Sequence, residues 1–251
     1  MMILKPISDV HVESQSDKGV RFLDKLVISP DETLLLLGDI VPFCMVELYE
    51  RFIKNVSQRA KNVLMVPGNH EYYKSAFFPQ YDAEEAHHFM KEIASKYSNV
   101  KLFDNEIIEL DGQRFIGGTM WYSQYKDFYG KNRHVDDMDI NRLDPWVYEQ
   151  HGKFIELVNR ELRPGDIVMT HHAPSMKSAE ERYKHGISAS CWIHPLDALI
   201  EDRKPKYWFH GHVHVSSGYL LGETYVVCNP YGYEVFDKVN QRFDFDLKFE
   251  A

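Results

Sequence analysis

With 251 residues and a mass of 29.5 kDa, the chain suits one large domain or two small ones, at roughly 100–200 residues per domain. Hydrophobic residues make up 44% and charged residues 27%, which excludes disordered, collagen-like and coiled-coil classes. The 38 acidic side chains outnumber the 29 basic ones, and a net charge of −9 argues against sequence-independent coating of nucleic acid.

No stretch of about 18 apolar residues is present, so no membrane span is expected. The opening MMILKPISDVHVE lacks the basic and apolar regions of an export signal, and the expected location is the cytoplasm. Cys44, Cys191 and Cys228 lie far apart in no metal or redox spacing, and their odd number argues against a disulfide framework.

Residues 2–7 and 33–37 read as buried strands, each ending in a polar cluster, SDVH and GD. Leu48, Phe52, Ile53 and Val56 recur at helical spacing and predict a helix over about 44–60. A strand over 61–66 stops at Pro67-Gly68, and a helix over about 82–97 follows, with Phe89, Met90, Ile93 and Ala94 on its apolar side. Residues 100–102, 106–110 and 113–118 read as strands, the last two joined in a hairpin at Asp111-Gly112.

Residues 120–144 are polar and aromatic without pattern, an insertion of a length that is usually functional. A helix from Pro145 to about Leu162, a strand over 166–170, a long connection over 173–195, a helix over 195–202 and a strand over 206–210 come next. The tail is expected to hold strands at 218–221, 224–228 and 244–249. The whole reads as a single α/β domain, residues 1–251, with mixed sheets and no internal repeat.

Strand ends carry the chemistry. Asp9 and His11 follow the first strand, Asp39 the second, Asn69 and His70 the third, His171 the strand 166–170, and His212 and His214 the strand 206–210. In open α/β sheets ligands bind beyond the carboxyl ends of strands. Asp9-Val10-His11, Gly38-Asp39 and Pro67–Glu71 each read as turn chemistry when taken alone, Gly211-His212-Val213-His214 would point two imidazoles the same way on extended backbone, and the five together point to a metal centre. Carboxylate, imidazole and carboxamide donors without thiolate suit Mn²⁺, Fe or Zn²⁺, of which Mn²⁺ is the expected ion, and their number suits two ions. Among the other histidines of the thirteen, His87 and His88 are expected on a helix surface, and His134, His151, His185 and His194 in solvent or at caps. His210 is expected to be buried and hydrogen-bonded, and His172 to face away from His171 if the strand continues through it.

In this order, Asp9-Val10-His11, Gly38-Asp39, Gly68-Asn69-His70-Glu71, His171 and Gly211-His212-Val213-His214 resemble the calcineurin-like metallophosphoesterase superfamily. The resemblance covers about residues 2–230. Segments 117–123, 138–141, 170–175, 188–190 and 226–234 are similar to a group of small bacterial phosphoesterases. It implies a four-layer αββα sandwich of two mixed sheets flanked by helices. It also implies one metal on Asp9, His11 and His214, a bridging Asp39, and a second metal on Asn69, His171 and His212. His70 would protonate the leaving oxygen, Glu71 would orient it, and a hydroxide bridging the metals would attack phosphorus in line. The chain departs from the family at Gly38-Asp39-Ile40-Val41-Pro42, where a further Asp or Asn is often found.

Two divalent ions bring four positive charges against two from Asp9 and Asp39, which leaves a net positive site for a phosphoryl group. Trp121, Tyr122, Tyr125, Phe128 and Tyr129 lie with Lys126, Lys131, Arg133 and Arg142 in the insertion. They suit either packing onto the sheet or stacking on a base. Asp136, Asp137 and Asp139 disfavour a long polyanion, so the expected substrate is a small phosphoester, monoester or diester, with nucleotide-like esters included. A nuclease, and a scaffold that has kept the fold without activity, are the competing classes.

Overall fold

A computed structural model describes residues 1–73, 82–123, 146–181, 193–234 and 238–251. Most of the expected insertion over 120–144, much of the 173–195 connection, and His134 and His185 lie outside the described residues.

One sheet is built from β1 (Ile3–Ile7), β2 (Glu32–Leu37), β3 (Asn62–Val66) and β4 (Val100–Leu102), all parallel, with β13 (Phe249–Glu250) added antiparallel to β1. The second contains β5 (Glu106–Leu110), β6 (Gln113–Gly118), β7 (Ile167–Thr170), β8 (Tyr207–His210), β9 (Ser217–Leu221) and β10 (Thr224–Cys228). Its order is β5-β6-β7-β8-β10-β9, parallel through the middle and antiparallel at both edges. A short ladder pairs β11 (Gly232–Tyr233) with β12 (Lys238–Val239).

The apolar strands have no polar face because each sheet is covered on both sides. Side chains alternate between faces along a strand, so neighbouring residues enter different cores. Leu35, Leu37, Leu64 and Val66 meet Phe115, Ile167, Met169 and Phe209 between the sheets. Leu34, Leu36, Val63 and Met65 instead pack outward on Phe52, Ile53 and Val56 of α2 (Val46–Ser57) and on Met90 and Ile93 of α3 (Ala83–Ser95). Phe22 of α1 (Val20–Lys25) joins that outer core. On the opposite side, Ile116, Val168, Trp208 and Val226 pack on Phe154 and Val158 of α4 (Trp146–Glu161) and Ile200 of α5 (Asp197–Arg203). The result is the expected sandwich of helices, two mixed sheets and helices.

Several expectations need correction. Phe89 lies 37% exposed, at the rim of the helix face, stacked on Phe43, while Ala86 takes the buried position. His87 is largely shielded between the Tyr72 hydroxyl (2.8 Å) and Asp104 (3.1 Å), not on the open surface. His151 is buried, bonded to the Met120 carbonyl at 2.8 Å. The tail strands expected at 218–221 and 224–228 form as β9 and β10, but of 244–249 only Phe249, with Glu250, pairs as a strand. Upstream of it Phe243 and Phe245 cover β1 in an aromatic cluster with Phe22 and Tyr231, and Lys5 bonds the Phe245 carbonyl. Trp121 and Tyr122 are buried, which is the packing role for these two aromatics. No helix among the described residues is long and apolar enough to cross a membrane.

The two sheets are tied together beside the site by Asn229, which follows β10. Its buried side chain donates to the carbonyls of Pro6 (3.0 Å) and Asp244 (2.9 Å) and accepts from the Asp244 amide (3.0 Å). Asn229→Ala removes all three bonds, one of them to the carbonyl of the buried Pro6, at a cost of about 2–4 kcal/mol. Urea denaturation measures this, and a loss below about 1 kcal/mol would contradict the role given to Asn229.

Candidate metal centre

The carboxyl ends of β1, β2, β3, β7 and β8 open on one edge of the sandwich, and the chain turns sharply after most of them. Asp9 (φ 51°), His11 (44°), Asp39 (56°), His212 (71°) and His214 (51°) all occupy the left-handed region. Side chains with a Cβ adopt it at a cost of roughly 1–2 kcal/mol each. Strain of this kind persists where the surroundings over-determine it, and it collects at functional sites. Two glycines permit the close approach. A Cβ on Gly68 would lie 2.2 Å from Asp39 Oδ1, and one on Gly38 would lie 2.4 Å from His171 Nδ1.

Two groups of donor atoms meet at Asp39. In the first, His11 Nε2 lies 3.1 Å from His214 Nε2 and 3.7 Å from Asp39 Oδ2, and His214 Nε2 lies 3.2 Å from Asp9 Oδ1. In the second, His171 Nε2 lies 2.9 Å from Asn69 Oδ1, 3.1 Å from His212 Nδ1 and 3.3 Å from Asp39 Oδ2. Thus Asp39 Oδ2 faces both groups, while Oδ1 accepts the His70 amide at 2.9 Å. The Asp9 carboxylate also accepts the His212 amide, at 3.0 Å to each oxygen. All seven residues that sequence reasoning assigned to metals, Asp9, His11, Asp39, Asn69, His171, His212 and His214, therefore converge.

The hydrogen-bonding of the outer nitrogens tests whether these residues fit a metal. His171 Nδ1 must donate to the Leu37 carbonyl (2.8 Å), because a carbonyl only accepts. Its Nε2 then points at a carboxylate oxygen, an amide oxygen and a second imidazole nitrogen. Only a proton or a cation relieves that crowd of lone pairs. His11 Nδ1 likewise donates to Glu13 Oε1 at 3.0 Å and turns Nε2 inward. An imidazole held by a carbonyl or carboxylate on its far nitrogen is the usual arrangement of a metal ligand. Nitrogen and oxygen donors without sulfur suit a divalent transition metal.

Electrostatics agree. Burial alone would lower His171, but the facing Asp39 and Asp9 carboxylates outweigh it and push the imidazole up to about 9. Burial opposes ionisation of Asp39, yet His171, His70 and His11 hold its carboxyl well below the usual range. The two carboxylates therefore stay ionised and favour positive charge beside them. His172 differs: burial and the neighbouring His171 push it down to about 3, and it packs as a neutral ring 4.4 Å from His212, bonded to the Thr119 carbonyl. It does not turn away from the site, because β7 has already ended at Thr170.

His70 stands at the rim with its side chain 21% exposed. Glu71 is placed differently from the expectation. Its buried carboxylate accepts the amides of Asp39 (2.8 Å), Ile40 (2.6 Å), Val41 (3.2 Å) and Gly68 (2.7 Å). It holds the Asp39 turn against the His70 turn, its four bonds going to backbone amides and not to the His70 imidazole. The carboxylate facing that ring is Glu13, 3.9 Å from Nδ1, while the Tyr233 hydroxyl lies 2.9 Å from Nε2. Sequence reasoning missed both. Glu13 follows His11 at i+2 and was legible as a local acidic neighbour. Tyr233 sits in the quoted 226–234 segment, but nothing in its spacing tied it to His70.

The sequence matches the calcineurin-like phosphoesterase family over residues 6–216. An uncharacterized protein of Acanthamoeba polyphaga mimivirus is 25% identical over 262 residues, which cover 93% of this chain and 92% of that protein. Among solved structures, the phosphopantetheinyl hydrolase of Mycobacterium tuberculosis is similar at a TM-score of 0.69 and 16% identity, over 92% of this chain and 89% of that one. At that identity the likeness concerns the fold. The family match takes in every donor loop from Asp9 to His214. On that match, the chain belongs to the calcineurin-like phosphoesterase family.

Proposed function

We propose that the protein is a dinuclear metal-dependent hydrolase of a small phosphoester, a monoester or a diester that includes nucleotide-like compounds. The observation that carries this reading is the meeting of two donor groups on one Asp39 oxygen. Two divalent ions held there, Mn²⁺ as the first candidate with Fe or Zn²⁺ as alternatives, would supply Lewis acidity and an activated water. Asp9, His11 and His214 would hold one ion, Asn69, His171 and His212 the other, with Asp39 shared between them.

The chain's own groups do the rest. Asp39 ties the acid to the donor groups through the His70 amide, so the imidazole is fixed relative to the reacting edge. His70 is the group placed to give a proton to a departing oxygen at the rim. Burial lowers its affinity for that proton, and the facing Asp39 and Glu13 carboxylates restore part of it. Glu71 keeps the Gly38-Asp39 and Gly68-Asn69 turns in register. The net charge of −9 supports a small ester over a polynucleotide.

Asp39→Asn is expected to lower bound Mn²⁺ below two equivalents and to abolish turnover of bis(p-nitrophenyl) phosphate. Metal analysis beside the rate checks this, and undiminished turnover would contradict the shared-ligand assignment. His70→Ala is expected to keep its metal while the rate falls by about 10²–10⁴, most steeply for esters with poor leaving groups. Loss of metal in that variant would instead make His70 a ligand.

A further inference from the structure

The metal-facing imidazoles with a far-nitrogen partner are oriented by it, His171 by the Leu37 carbonyl and His11 by Glu13. His70 needs such a partner more than they do, since it is expected to act without the restraint of a metal bond. Glu13 lies 3.9 Å from its Nδ1, beyond hydrogen-bond reach. Among the described residues, the one direct hydrogen bond to the His70 ring comes from the Tyr233 hydroxyl, 2.9 Å from Nε2. The same phenol ring stacks on His11, with centroids 4.0 Å apart and planes at 26°.

Tyr233 is anchored at both ends. Before it, the Tyr231 amide donates to the Ser8 carbonyl (3.0 Å) and the Gly232 amide to the Asp9 carbonyl (2.8 Å), so the segment is stitched onto the first donor loop. Gly232 supplies the φ of +89° that this path requires. After it, the Glu234 carboxylate accepts from Arg21 and from the Ser16 amide, each at 3.0 Å. A tail segment beyond the family match is thus held directly over the site.

We propose that Tyr233 is the positioning residue of His70: its hydroxyl at Nε2 and its ring on His11 fix the imidazole at the edge where the two donor groups meet. This rests on the reading of His70 as the acid. The phenol and an incoming ester oxygen address the same nitrogen. A hydroxyl both donates and accepts, so it keeps the ring aimed there whichever way the imidazole is protonated.

The test compares wild type, Tyr233→Phe and His70→Ala. Phenylalanine keeps the stack on His11 and removes only the hydroxyl. In the side-chain ¹H–¹⁵N spectrum of chelator-stripped protein, the His70 ring signals, identified by their loss in His70→Ala, are expected to shift in Tyr233→Phe. With Mn²⁺ restored, bound metal is expected to be unchanged. The kcat on phenyl phosphate is expected to fall about tenfold with KM held, and to fall less on p-nitrophenyl phosphate. Unshifted His70 signals would overturn the proposal. So would an unchanged kcat on phenyl phosphate where His70→Ala is impaired. Should His70→Ala hydrolyse phenyl phosphate as fast as wild type, the acid reading fails by itself, and the spectrum alone decides whether Tyr233 orients the ring.

Discussion

Asp39 Oδ2 is where two groups of lone pairs are forced together, and that repulsion is the constraint on which the site depends. Carboxylate and imidazole donors this close are stable only with positive charge among them. The fold accepts that cost because the donors are set by rigid parts. Parallel strands buried on both faces end together, and their last residues point the following turns to one edge. The same interior that makes the strands uniformly apolar also removes water from Asp9, Asp39 and His171, so their charges act at short range with little screening.

Backbone strain and polar satisfaction are balanced at that edge. Five donor residues sit in the left-handed region. Against this, Glu71 gathers four amides from two turns, and the Asp9 and Asp39 carboxylates accept the amides of His212 and His70. Each acid therefore serves both the backbone and the site. Loosening one turn would shift a donor from each group, which is why the glycines at 38 and 68 admit no side chain without displacing Asp39 or His171.

Much of this was legible in the sequence, for a physical reason. Strands such as Leu34–Leu37 and Ile167–Met169 announce themselves by unbroken apolar runs, and polar residues placed just after them must lie at a sheet edge. That rule singled out the seven donors together with His70, and the family resemblance then separated His70 from the ligands. Glu71 was misjudged because adjacency to His70 suggests a partner, whereas the tight turn sends the two side chains apart toward different groups. His151 and His87 looked like surface residues because periodicity does not reveal a carbonyl or hydroxyl arriving from another element. Tyr233 lies 163 residues from His70, on a strand of two residues, too short for any pattern. Residues 244–248 were overread as strand because Phe243 and Phe245 alternate with polar residues there, although they serve to cover β1.

The measurement that bears most directly on the central claim is titration of chelator-stripped protein with Mn²⁺, following bound metal together with turnover of bis(p-nitrophenyl) phosphate and p-nitrophenyl phosphate. Two donor groups sharing Asp39 predict two equivalents bound, with hydrolysis of at least one ester appearing as the second is taken up. Saturation at a single equivalent, or hydrolysis that persists in the stripped protein, would contradict the dinuclear account.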